Sequence, residues 1–87
     1  MGDTMSRAIP ISYENVENYT ELGMNIAYFR KKKGLTQEQL AEKAGISRSH
    51  LSSIEAPNIV KPMSIELLFK IARVLDIQPY MLLKFRE

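Results

Sequence analysis

The chain has 87 residues and contains no cysteine, no tryptophan and a single histidine, His50. Without cysteine it can form neither a disulfide framework nor a thiolate metal site, and a reducing cytoplasm is the compartment that we expect. One histidine is too few for a histidine metal site, and no glycine-rich phosphate loop or pair of catalytic carboxylates is visible. We therefore expect no metal, no cofactor and no enzymatic activity.

Long apolar runs are absent as well. No uninterrupted apolar run exceeds four residues, whereas a transmembrane helix needs about 20. Residues 1–12 contain no stretch that resembles the apolar core of a signal peptide. The composition, 45% hydrophobic and 25% charged, is that of an ordinary globular domain. A chain of this length supports one hydrophobic core, so we expect one small domain without a membrane span.

Charge is distributed unevenly along the chain. The formal net charge is +2, but residues 1–29 carry −3, residues 30–61 carry +4 and residues 62–87 carry +1. A basic middle third is typical of proteins that bind nucleic acid, and a solvated basic face is the alternative. Lys31, Lys32 and Lys33 end a predicted helix, where they are better explained as charges that complement the helix dipole than as DNA contacts.

Apolar side chains recur at helical spacing, and strand signals are weak everywhere. Leu22, Ile26 and Phe29 share one face of a first helix, which we expect to end at Lys33 before a glycine. Residues 13–19 are expected to form a short helix or to extend the first one. The other predicted helices are a second capped by Thr36 and ending at Ala44, a third from the cap Ser47 to Glu55, a fourth opened by Ser64, and a fifth started by Gln78-Pro79. The sequence therefore predicts an all-α fold of five short helices.

The second and third helices are joined by a short turn that contains glycine. Thr36 and Gln39 have the spacing of a capping box, and Ser47 can cap the third helix. Such a turn sets two helices at a steep angle, so that the second of them can enter the major groove of DNA. The outward face of that helix is polar, and its members are Arg48, Ser49, His50, Ser52 and Ser53.

Three segments carry a resemblance to a known family. They are Leu22-Gly23 with Ile26 and Arg30, the run KGLTQEQLAEKAGIS from Lys33 to Ser47, and Leu51 with Ile54-Glu55. They resemble the Cro/phage-repressor (XRE) family of helix-turn-helix proteins, and the later apolar stripe from Ile65 to Leu75 is similar to the family's fourth helix. The resemblance covers about residues 21–83. It implies a flexible N-terminal arm at residues 1–12 and a five-helix, lambda-repressor-like DNA-binding domain at residues 13–87.

The resemblance also implies a function and a role for individual residues. The protein would be a sequence-specific double-stranded DNA-binding transcriptional regulator, most simply a repressor. Base edges would be read by Arg48, Ser49, Ser52 and Ser53, since arginine and serine can bond to them in the major groove. Backbone phosphates would be held by Thr36, Gln37, Ser47, His50 and Lys61, although simple exposure is the favoured interpretation of His50. Arg30 and Glu55 would form a partly buried ion pair between the first and third helices.

The segment after the third helix departs from the family pattern. Residues 56–62 lack the glycine that many members have there, and they include the apolar pair Ile59-Val60. This departure puts the phosphate-binding role of the segment in doubt. Ile59 and Val60 are expected either to pack inward or to contact a second subunit.

The C-terminal part holds more apolar side chains than one core face needs. They are Leu67, Phe69, Val74, Tyr80, Met81, Leu83 and Phe85. A homodimer formed through the C-terminal helices would account for them, with two recognition helices about 34 Å apart on a near-palindromic operator. The alternative is a protein-binding adaptor or antitoxin-like helical module that grips another protein with the same face.

Overall fold

The computed structural model describes residues 11–86. Within this range the chain forms one 3₁₀ turn and five α-helices, and no strand. The bounds are Tyr13–Asn15 for the 3₁₀ turn, then Val16–Lys33 (α1), Gln37–Ala44 (α2), Arg48–Glu55 (α3), Ile65–Leu75 (α4) and Pro79–Leu82 (α5). The predicted all-α fold is confirmed. The predicted arm lies outside the described residues except for Ile11 and Ser12, which are not helical.

Local signals end and begin the helices as expected. The Thr36 hydroxyl accepts a hydrogen bond from the Gln39 backbone N–H, and the Gln39 side chain accepts one from the Thr36 N–H, which completes the capping box. Gly45 ends α2 with a φ of 76°, a left-handed conformation that glycine adopts without strain. Residues 13–19 form no separate α-helix, because the 3₁₀ turn leads directly into α1.

All five helices contribute to one core. Each supplies one of the five largest fully buried side chains, which are Ile26, Leu40, Leu51, Ile71 and Leu82. Leu67 is also buried in this core, so its assignment to an excess apolar surface is wrong: it lies on the inner face of α4. Ile59 is exposed and Val60 is half-buried, so Ile59 does not pack inward.

The first and third helices meet at a glycine. Gly23 of α1 is buried, and a methyl group at this position would overlap the carbonyl oxygen of Ile54 and lie 3.2 Å from its carbonyl carbon. The atoms that crowd it belong to the backbone of α3, which cannot move aside without displacing the whole helix. Gly23 therefore sets how closely α3 approaches α1.

We expect Gly23→Ala to destabilise the protein although alanine is the better helix former. The gain in helix propensity is about 1 kcal/mol, whereas overpacking a close-packed contact costs about 1–3 kcal/mol or more. Urea unfolding followed by circular dichroism measures the net effect. Asn18→Ala, on an exposed part of the same helix, is the control and should change little. A Gly23→Ala protein as stable as the parent would contradict the close contact.

Candidate nucleic-acid interface

The turn between α2 and α3 sets these two helices as a unit. The Ile46 N–H donates to the Ala41 carbonyl, and the Gly45 N–H donates to that of Glu42, so the turn is closed onto the last turn of α2. The Ser47 hydroxyl then accepts a hydrogen bond from the His50 N–H at 3.0 Å and caps α3. Leu51 and Ile54 anchor α3 in the core. Only the first two residues of α3 are fully exposed, because Leu51 and Ile54 are buried and the other four residues are half-buried.

The polar side chains of α3 are not equally accessible. Arg48 and Ser49, in its first turn, are exposed, while His50, Ser52 and Ser53 are half-buried. Within residues 11–86 the structure gives the Arg48 side chain no hydrogen bond and no ion pair. Residues 11–86 therefore leave all of the guanidinium donors available to another partner.

A buried polar network fixes α3 against α1 and α2. The Arg30 guanidinium meets the Glu55 carboxylate in a bidentate arrangement, with Nε donating to Oε2 at 2.8 Å and Nη2 donating to Oε1 at 3.0 Å. Arg30 Nη1 also donates to the Leu35 carbonyl at 2.8 Å, and Gln37 Nε2 donates to Glu55 Oε1 at 2.9 Å. The exposed fractions of the Arg30 and Glu55 side chains are only 10% and 5%. The ion pair is therefore almost completely shielded from solvent, and the network fixes the start of α2 relative to the end of α3.

A hollow of about 590 Å³ opens beside this network. It is lined by Arg30, Leu35, Thr36, Gln37, Glu38 and Arg48. The hollow brings together three residues that the sequence assigned to DNA contacts, one for a base and two for phosphates. Because the Thr36 N–H already donates to Gln39, Thr36 can offer a ligand only its hydroxyl hydrogen. Lys61 is exposed in the segment between α3 and α4 and does not line this hollow.

Sequence reasoning missed two members of this arrangement. Glu38 lies in the first turn of α2 and adds a negative charge beside Arg48 in the hollow. Its position in the first turn after the cap Thr36 is the sequence feature from which this could have been predicted. The resemblance implies that Gln37 braces the third helix, but its partner Glu55 was not predicted, since no spacing rule connects residues 18 positions apart on different helices. Gln37 therefore has one amide hydrogen committed to Glu55, and residues 11–86 supply no partner for the other.

Two short helices joined by a tight turn, the second with an exposed polar face, define a helix-turn-helix protein. Residues 26–82 match the helix-turn-helix family, and the chain belongs to that family, in its Cro/phage-repressor (XRE) branch. Among curated proteins it is similar to the HTH-type transcriptional regulator SinR of Bacillus licheniformis, with 42% identity over 66 residues, which are 76% of this chain. The chain spans 59% of that regulator's length.

Solved structures show the same similarity. One is the crystal structure of SinR, a master regulator of biofilm formation, in complex with DNA. Its sequence is 44% identical to this chain, and the two structures superpose with a TM-score of 0.67 over 72% of this chain and 98% of that one. The restriction-modification controller protein C.AhdI of Aeromonas hydrophila is 32% identical with a TM-score of 0.70, over 76% of this chain and 97% of that one. SinR is named as a transcriptional regulator, and C.AhdI is named as a controller protein. Neither name describes an enzyme.

Two features are absent from the part of the chain that the structure describes. Among residues 11–86, no helix is long and apolar enough to cross a membrane. The same residues contain no group of three or more acidic, histidine or cysteine side chains that could hold a metal ion.

Proposed function

We propose that the protein is a sequence-specific double-stranded DNA-binding transcriptional regulator, a repressor that acts in the cytoplasm and catalyses no reaction. The observation that carries the proposal is the exposed first turn of α3, where residues 11–86 supply no side-chain partner for Arg48 or Ser49, on a helix fixed by the Arg30–Glu55 ion pair. The similarity to a SinR chain crystallised with DNA supports it.

Base reading is assigned to the exposed face of α3. Arg48 is long enough to reach a base edge and has the paired donors that match guanine O6 and N7. Ser49 lies beside it, and Ser52 and Ser53 lie one turn further along and are half-buried. The serines are therefore suited to the bases that approach the helix most closely, because their side chains are short.

Phosphate contacts are assigned to the groups around the start of α2. Gln37 offers its second amide hydrogen, since the first is held by Glu55, and the Thr36 and Ser47 hydroxyls can each donate while they accept their capping bonds. His50 and Lys61 are proposed as peripheral contacts. Such contacts fix the orientation of the protein on DNA and carry no sequence information.

A homodimer would present two copies of α3 to one operator. Phe69, Tyr80 and Leu83 are exposed in the C-terminal helices and the residues that follow them, and covering them with a second copy would remove them from water. A protein-binding module would use the same side chains, and it is the second candidate. The two candidates differ in their expected response to salt.

Selection of bound sequences from a random oligonucleotide pool tests the proposal. We expect a near-palindromic motif whose half-site centres are about 10 base pairs apart. The affinity for the selected sequence should fall steeply as salt rises, because phosphate contacts release counterions. A pool without an enriched motif, or weak binding that does not depend on salt, would favour the protein-binding module.

A further inference from the structure

A regular stripe of side chains runs along the outer face of α1. Its members are Glu17, Glu21, Met24, Tyr28 and Lys31, which we call the α1 stripe. The spacing of four, three, four and three residues places them within a sector of about 80° on a helix of 3.6 residues per turn. Met24 and Tyr28, at its centre, are 41% and 59% exposed. This spacing is that of the seam along which two helices pack in a coiled coil, yet within the described residues no other helix covers Met24 or Tyr28.

The charges of the stripe are segregated along the helix. Both acidic members, Glu17 and Glu21, lie toward the N-terminus, while Lys31 lies at the C-terminal end with Lys32 beside it. Lys32 Nζ is 5.8 Å from the centre of the Tyr28 ring, which extends the basic region to the aromatic centre. A surface of this kind is complementary to itself when it is turned end for end.

We propose that the α1 stripe packs antiparallel against the α1 stripe of a second copy of this chain. The inference rests on the proposed homodimer but assigns its interface to α1, with Tyr80 of the C-terminal region beside it, and not to the C-terminal helices alone. When Met24 of one copy faces Tyr28 of the other, the same register places Glu21 opposite Lys31, and the two-fold axis generates both contacts twice. Methionine sulfur packs favourably against aromatic rings. A parallel arrangement would instead place the glutamates of one copy opposite those of the other, and the lysines likewise, and these like charges would repel.

The stripe is continuous with the exposed apolar side chains of the C-terminal region. Tyr28 and Tyr80 line one shallow hollow of about 290 Å³ between α1 and α5. Asn25 Nδ2 donates to the carbonyls of Leu82 at 2.9 Å and Lys84 at 3.2 Å, which holds this end of the chain against α1. Stable interfaces bury about 1,200–2,000 Å² in total, and one pair of helices supplies only part of that area. Tyr80, which is exposed and lies beside Tyr28, extends the surface beyond the helix pair.

Charge reversal tests the pairing between copies. Sedimentation equilibrium of the full chain should show that Lys31→Glu and Glu21→Lys each weaken self-association by roughly tenfold or more, since each creates two like-charged contacts. The double variant should return to within about threefold of the parent, because the charges are exchanged and not lost. Lys43→Glu, on the exposed surface of α2, matches the change in net charge of Lys31→Glu and should associate as the parent does. Glu21 Oε1 also lies 3.9 Å from Arg86 Nε and accepts a hydrogen bond from the Arg86 backbone N–H at 3.0 Å. Arg86→Ala controls for the first of these contacts, and Lys31→Glu tests the pairing with both of them intact.

Cross-linking tests the register. Since the chain has no cysteine, Met24→Cys and Tyr28→Cys each introduce a single thiol. A mixture of the two variants should give a disulfide-linked dimer under mild oxidation, and each variant alone should give much less. Lys43→Cys serves as the background. Strong cross-linking of each variant with itself would indicate a parallel pair and would overturn the antiparallel arrangement.

The outcomes separate this inference from the proposed function. If the chain dimerises but neither the charge reversals nor the cysteine mixture has the expected effect, the dimer forms elsewhere and the inference is wrong. If the chain is monomeric at every concentration, the inference and the proposed homodimer both fail. DNA binding, measured separately on the selected operator, then decides whether the regulator proposal stands without them.

Discussion

Arg30→Ala is expected to lower the free energy of unfolding by about 3–5 kcal/mol, the usual cost of removing one partner of a buried ion pair. The substitution would leave the Glu55 carboxylate, 5% exposed, with the Gln37 amide as its remaining partner among the bonds described. It would also free the Leu35 carbonyl, which accepts from Arg30 Nη1. Urea unfolding at neutral pH measures the loss directly.

Two comparisons show whether the loss belongs to the ion pair. Lys32→Ala removes an exposed cation two residues away and should change the stability by less than about 0.5 kcal/mol. The double variant Arg30→Met with Glu55→Met removes both charges together and should be much more stable than either single variant, because no unpaired buried charge remains. Equal melting temperatures for Arg30→Ala and Lys32→Ala would show that the pair contributes nothing.

The elements of the fold could be predicted because their ends are encoded locally. Thr36 with Gln39, Gly45 and Ser47 each act on atoms within four residues, so their effects can be recognised from spacing alone. The helical spacing of apolar residues, which predicts that Ile26 and Leu51 are buried, can also be recognised from the sequence alone. The 3₁₀ turn before α1 was not distinguished from a helix, because it differs from one only in the hydrogen bonds of a single turn.

The remainder depends on contacts between distant segments. The closeness of Gly23 to Ile54 and the bond from Gln37 to Glu55 arise only once α1, α2 and α3 are packed together. The partial burial of Ser52 and Ser53 and the inward position of Leu67 are likewise tertiary effects. The residue types of the candidate interface were therefore predictable, whereas their accessibility and mutual geometry were not.

Arg48→Ala is expected to cost about 1–3 kcal/mol of binding free energy for each half-site of the selected operator, which is roughly a 5- to 150-fold factor in Kd per half-site occupied, because a bidentate contact to guanine is lost. On DNA of random sequence the same variant should bind almost as the parent does. Since Arg48 is exposed, its removal should leave the unfolding transition unchanged, so the loss cannot be attributed to stability. Fluorescence anisotropy with the two DNAs at one fixed salt concentration measures both affinities.

Two matched variants distinguish recognition of a base from contact with the phosphate backbone. Arg48→Lys keeps the positive charge but not the paired donors, so it should retain the salt dependence of the parent and lose much of the preference for the operator. Gln37→Ala removes a proposed phosphate contact and should weaken binding to both DNAs by a similar factor. Because Gln37 also donates to Glu55, its affinities are measured well below the melting temperature of the variant. If Arg48→Ala weakened operator and random DNA equally, Arg48 would be a phosphate contact, and base reading would fall to the serines of α3.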